Sequence, residues 1–214
     1  MLDVGGGLPA NYWSDEYAAD NVPSFSEYAA HLRKEIPELF SGEFFVVTEF
    51  GQSLNAKAGM LVSKIQTIKP GLGGHPNTAV IHFGADCCVR QVYGNGHERR
   101  VECYPANASR SDPGTKEKYN IAGPLCFQGD FVKKEIEMRS DLQAGDFIIL
   151  KDAGANTLSM FSRHCSRMCP PVYGYHWFNR DQGLVGEFEE LKPRETMESL
   201  SNFWGRLENS DKQF

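Results

Sequence analysis

The sequence predicts an α/β segment over residues 1–59 and, over residues 60–214, an all-β part built as an antiparallel barrel or sandwich with a terminal helix. Three observations carry that division. A short apolar run, Met1 to Val4, stops at three consecutive glycines, Gly5, Gly6 and Gly7. A helical period with its own start signal follows, and it leads into a second apolar run, Phe44 to Thr48. Beyond residue 60 that period disappears, and short strand candidates separated by turn residues replace it.

Taken in order, Met1 to Val4 has the pattern of a buried strand, and the glycines after it permit positive φ and leave main-chain N–H groups bare. Bare amides are what a phosphate oxygen needs, and a tight turn after a strand explains the same triplet equally well. The spacing matches neither the ATP-type loop nor the dinucleotide fingerprint. Pro9 to Pro23 reads as a loop. Ser24-Phe-Ser-Glu27 fits the capping box, and Phe25, Tyr28, Leu32, Ile36 and Leu39 give the following helix one apolar face. The helix ends between Pro37 and Gly42. Phe44 to Thr48 is the continuous apolar run of a strand covered on both faces, and it delivers Glu49-Phe-Gly-Gln-Ser53 at its carboxyl end. In a βαβ unit, ligand groups gather at the carboxyl ends of the strands, so Gly5 to Gly7 and Glu49 to Ser53 are expected to face one pocket.

In the second part the strand candidates are Met60–Ile65, Thr78–Phe83, Arg99–Tyr104, Tyr119–Ala122, Phe131–Met138, Phe147–Leu150 and Val185–Leu191. Pro70 to Pro76 is a joint, Asn107 to Lys118 a polar loop, and the last helix starts at Thr196 with Met197, Leu200 and Trp204 on one side. Met160, Phe161 and Phe178 are expected in the core, and Arg163, His164 and Arg167 at a surface or interface.

Composition narrows the function. A net charge of −6 provides no basic patch for nucleic acid or an anionic membrane surface. No leader, long apolar run or lipidation signal is visible, so a soluble cytoplasmic protein is expected. The six cysteines match no zinc motif, and Cys165-x3-Cys169 beside His164 reads as reduced thiols rather than a metal site.

The order of motifs resembles the C-terminal half of the pyridoxal-phosphate-dependent decarboxylases that act on diaminopimelate, ornithine and arginine, the group with the alanine-racemase-like fold. Leu2-Asp-Val-Gly-Gly-Gly-Leu-Pro9 resembles the family's phosphate loop, and Thr48-Glu-Phe-Gly-Gln-Ser53 its Glu-Pro-Gly-Arg stretch. Arg90-x-x-Tyr93, Gly123-Pro-Leu-Cys-Phe-Gln-Gly-Asp130, Gly145-Asp146 with Asp152-Ala-Gly-Ala155, and Arg194-Glu-Thr196 resemble later family blocks in the same order. The resemblance implies the last strand-helix-strand units of a (β/α)8 cofactor barrel in residues 1–59, then the family's β domain in residues 60–214. It also implies a homodimer with shared active sites, an amino acid substrate, and a place in polyamine or lysine biosynthesis. The lysine that bonds the cofactor would lie upstream of Met1, leaving the chain inactive by itself.

The same resemblance assigns roles. Glu49 would keep the cofactor's pyridine nitrogen protonated, since an opposite charge favours the cationic ring. Gly5, Gly6 and Gly7 would bind the phosphate. Gln52 stands where the family has a phosphate-binding arginine, and Asn156 where it has a tyrosine, so two contacts there carry no charge or lose a hydroxyl. Cys126 would return a proton to the substrate's Cα from across the dimer interface. Arg90, Tyr93, Phe127 and Asp130 would contact the substrate. Phe127 replaces an acidic residue that reads the far ammonium of a diamino acid, which argues against such substrates.

Overall fold

The structure, a computed structural model, describes residues 1–94, 98–180 and 183–205. The chain divides into two compact units, Met1–Ser162 and Arg163–Phe214. The boundary expected after residue 59 therefore does not separate compact bodies, because the first 59 residues are tied to the loop after residue 150 by contacts described below.

The lead-in of the first unit is a parallel βαβ unit. Strand β1 (Leu2–Asp3) pairs with β2 (Val46–Val47) in the register Leu2 to Val46 and Asp3 to Val47. Helix α1 (Phe25–Glu35) connects them, and its capping box forms as read: the Ser24 hydroxyl accepts from the Glu27 N–H, and the Glu27 carboxylate accepts from the Ser24 N–H at 2.8 Å. The Ser24 main chain and hydroxyl hold the Glu27 carboxyl below its ordinary range. Both strands are shorter than expected and neither is buried. Met1 is 90% exposed and Phe45 73%, and no residue of α1 is buried. Phe25 and Tyr28 on α1 turn their rings to Phe50, with centroids 5.8 and 5.1 Å away.

Two sheets complete the unit. One is antiparallel, in the order β3 (Leu61–Lys64), β9 (Phe147–Leu150), β6 (Val101–Tyr104). The other runs β4 (Thr67–Lys69), β5 (Asn77–Val80), β7 (Lys116–Ala122), β8 (Phe131–Arg139), and its β5–β7 pair is parallel. The architecture is thus mixed rather than wholly antiparallel. Alternate residues point inward from both sheets: Ala79 and Ile81, Tyr119 and Ile121, Val132 and Met138, Ile148 and Leu150 form one core with Ile65, Phe83, Cys87 and Cys88. Phe161 packs against it as expected, whereas Met160 is 38% exposed. A five-residue helix, α3 (Val89–Tyr93), had no periodic signal long enough to announce it.

The second unit is a long hairpin, β10 (Val172–Arg180) with β11 (Gly183–Lys192), followed by α4 (Met197–Trp204) capped by Thr196. Strand β10 was not anticipated, because Gly174 and the polar residues among its aromatics hide the alternation. Phe178, expected in the core, is 45% exposed, and of the three residues expected on one face of α4 only Leu200 is buried. Arg163 grips Glu195 with two nitrogens, and together with the Cys169 N–H it holds that carboxyl down to about 2.

Candidate functional site

The glycine loop and Glu49 leave neighbouring parallel strands at the same end. Val4 donates to the Val47 carbonyl at 3.0 Å, and Glu49 donates to the Gly5 carbonyl at 2.8 Å. Gly6 lies so close to this segment that a Cβ would stand 2.7 Å from the Glu49 carbonyl oxygen, so only glycine fits without a shift. Gly5 and Gly7 have φ of +74° and +92°, the left-handed region that glycine enters freely. The triplet is more specific than a tight turn requires. The Gly5 N–H donates to the Asp3 carboxylate at 2.8 Å, and among the described residues the N–H groups of Gly6 and Gly7 meet no acceptor.

Gln52 sits half-buried in helix α2 (Gly51–Asn55), directly after Glu49. The loop carrying Asn156 is seated on the end of that helix. Ala153 donates to the Gly59 carbonyl at 2.7 Å and Gly154 to the Ala56 carbonyl at 2.9 Å, and Gly154 lies against the Asn55 carbonyl where no side chain fits. Ala10, Tyr12, Ala56 and Ala155 form a small buried cluster, which brings together the chain after the glycines, the chain after Glu49, and the Asn156 loop.

Three residues that were given no site role from the sequence build this junction. Lys57, its side chain 9% exposed, donates to the carbonyls of Asn11 at 2.7 Å and Ser14 at 2.8 Å, and pairs with Asp152 at 3.4 Å. Arg99, 2% exposed, donates to the carbonyls of Asp152 at 3.0 Å and Ala155 at 3.2 Å and lies over the Tyr12 ring. Asp152 holds φ of 54° and is buried between them. A cavity of about 240 Å³ opens beside Lys57, lined by Asp15, Tyr17, Met60, Lys151 and Asp152.

The remaining expected residues form a second set around the β7–β8 turn. Tyr93 of α3 stacks on Phe127, centroids 5.4 Å apart and planes 18° from parallel. Arg90 lies one turn earlier on the same helix, and Cys126 is exposed beside Phe127. Asp130 does not join them. Its carboxylate is 3% exposed and accepts from the N–H groups of Ala85 at 2.8 Å and Leu125 at 2.7 Å, with Gly84 and Gly123 packed against it. Both oxygens are committed to the main chain, so Asp130 shapes the turn rather than reaching a substrate.

Residues 17–154, well over half the chain, match the family described as pyridoxal-dependent decarboxylase, C-terminal sheet domain. The chain belongs to that family. Among curated relatives of this decarboxylase family, diaminopimelate decarboxylase of Haemophilus influenzae is 31% identical over 166 residues, 78% of this chain and 36% of the relative. Its counterpart in Vibrio cholerae is 29% identical over 199 residues, 93% of this chain and 43% of the relative. The chain therefore spans less than half the length of the curated relatives it matches. Solved structures agree on the fold: AQ1208 from Aquifex aeolicus superposes with a TM-score of 0.72 at 20% identity, covering 96% of this chain and 45% of that one. Diaminopimelate decarboxylase from Helicobacter pylori complexed with L-lysine gives 0.69 at 20% identity, with 94% and 44% covered.

The family is pyridoxal-dependent, and the local chemistry fits a phosphate-bearing ring. Two open amides on glycines and the side-chain amides of the two flanking segments are donors suited to a phosphate, and the carboxylate on the adjoining strand end is an acceptor suited to a ring N–H.

Proposed function

We propose that this chain supplies the C-terminal part of a pyridoxal-phosphate-dependent amino acid decarboxylase. Residues 1–59 would be the end of the cofactor barrel and residues 60–214 the family's sheet domain. The observation that supports this reading is the close approach of Gly6 to the Glu49 main chain, which brings the glycine loop beside the residue read as the ring-binding carboxylate. Pyridoxal phosphate supplies the electron sink for the pair left on Cα when carbon dioxide departs.

The chain's own residues then have separable tasks. Gly6 and Gly7 donate main-chain N–H groups to the phosphate, and the side-chain amides of Gln52 and Asn156 add neutral donors. The Glu49 carboxylate keeps a proton on the pyridine nitrogen. The Cys126 thiol, exposed at the turn tip, returns a proton to Cα in a second copy of the chain, which makes the active unit a homodimer with shared sites. Phe127 and Tyr93 present a stacked aromatic pair where a diamino acid would need a carboxylate, and this supports a substrate with an apolar or aromatic side chain. Arg90, on the same helix, would meet a substrate carboxylate.

A second reading, a non-catalytic relative that keeps the fold, is favoured by the neutral Gln52 and Asn156. Carbon dioxide release from a panel of amino acids, measured on the full-length protein with pyridoxal phosphate, separates the two. Turnover that falls at least tenfold in Cys126→Ala supports the enzyme and the thiol's role. Cofactor binding without release of carbon dioxide from any amino acid supports the second reading. Preference for meso-diaminopimelate, lysine or ornithine would overturn the role given to Phe127.

A further inference from the structure

Beside the Asn156 loop lie two cations, Lys57 and Arg99, both held by main-chain carbonyls. Lys57 and Arg99 are both buried, and Asp152 is the carboxylate within ion-pair distance of Lys57. Arg99 reaches no carboxylate within 4.0 Å among the described residues. It spends Nε and Nη2 on two carbonyls, and its buried Nη1 has no acceptor. A buried cation without an anion is costly, so a site that keeps one normally has an anion to meet.

The geometry lets Arg99 act on such an anion through the Ala155–Asn156 peptide rather than by contact. Arg99 draws the Ala155 carbonyl toward itself, and in a trans peptide the following N–H points the opposite way, so the Asn156 N–H faces away from Arg99. Among the described residues this N–H meets no protein acceptor, and neither do those of Gly6 and Gly7. The Ala10, Tyr12, Ala56 and Ala155 cluster links all three segments, with Arg99 stacked on its Tyr12. Resting on the cofactor reading above, we propose that Arg99 is the positioning residue for the cofactor's phosphate. Through that peptide it supplies the positive charge that neutral Gln52 and Asn156 do not.

The test compares binding of pyridoxal phosphate and of pyridoxal, which lacks the phosphate, to the full-length protein by fluorescence titration, with the 31P chemical shift as a second readout. Arg99→Met should weaken pyridoxal phosphate by about 10-fold or more, as loss of a charge does, while pyridoxal changes by less than about 2-fold. Arg99→Lys keeps the charge with fewer donors and should retain most of the preference. Adding Gln52→Arg to Arg99→Met should restore it. Should Arg99→Met fail to fold, Arg99→Lys alone and in combination with Lys57→Met gives the same comparison. Equal weakening of both ligands marks Arg99 as merely structural and overturns the proposal, as does an unchanged preference. If the unaltered protein does not discriminate between the two ligands, the cofactor reading itself fails as well.

Discussion

The sheet region and the lead-in of the first unit are held in different ways. Between Leu61 and Phe161, side chains from two sheets share one continuous apolar core. Between Met1 and Ala58 the buried apolar residues are fewer: Ala10, Tyr12 and Ala56 cluster with Ala155 from outside the segment, Leu8, Val22 and Leu39 are buried apart from that cluster, and polar bonds add to the attachment. Lys57, Arg99 and the main chain of Gly154 fasten the lead-in to the loop after β9. The difference teaches where stability and chemistry reside. The sheets carry the fold, while the glycine loop and Glu49 lie on a thinner layer positioned by directional bonds.

The strongest challenge to that contrast is Asp130→Ala. It leaves the buried amides of Ala85 and Leu125 without their charged acceptor, and with about 1.5–3 kcal/mol for each such bond the sheet region should lose roughly 3–6 kcal/mol in urea unfolding. Ile148→Ala, in the middle of the same core, should cost about 2–5 kcal/mol by opening a cavity. Lys57→Met tests the other half. Hydrogen exchange should accelerate at residues 9–17 while β7, β8 and β9 keep their protection, and equal acceleration everywhere would erase the contrast. Ser24→Ala removes a cap from a helix with no buried residue and should cost about 1 kcal/mol, visible as local loss of helix. The smallest effect is an absence of change. Burial, followed by Asp86 and Asp130, pushes the Cys88 thiol up to about 12, so iodoacetamide at pH 8 should label Cys126 and Cys165 and leave Cys88 intact.

Much of this was legible before any coordinates. The capping box at Ser24 and Glu27 is a local code, and it formed as written. The parallel β1–β2 pairing and the meeting of the glycines with Glu49 followed from the order strand, glycines, helix, strand, because a βαβ crossover leaves few alternatives. Other features depend on partners distant in sequence. Nothing in the neighbours of Arg99 says that it will be buried on carbonyls of residues 152 and 155, and Lys57, between two alanines, looks like a solvated lysine until Asn11, Ser14 and Asp152 surround it. The acceptor role of Asp130 was illegible for the same reason: it depends on Ala85, distant in sequence. Strand β10 was hidden because glycine and histidine interrupt its alternation, and it is fixed by pairing with β11.

The most direct measurement is a structure of the full-length protein with pyridoxal phosphate added. The phosphate should accept hydrogen bonds from the Gly6 and Gly7 amides, with the Glu49 carboxylate against the ring nitrogen. A ligand bound away from the Gly6–Glu49 contact, or a Glu49 side chain turned from the ring, would contradict the assignment.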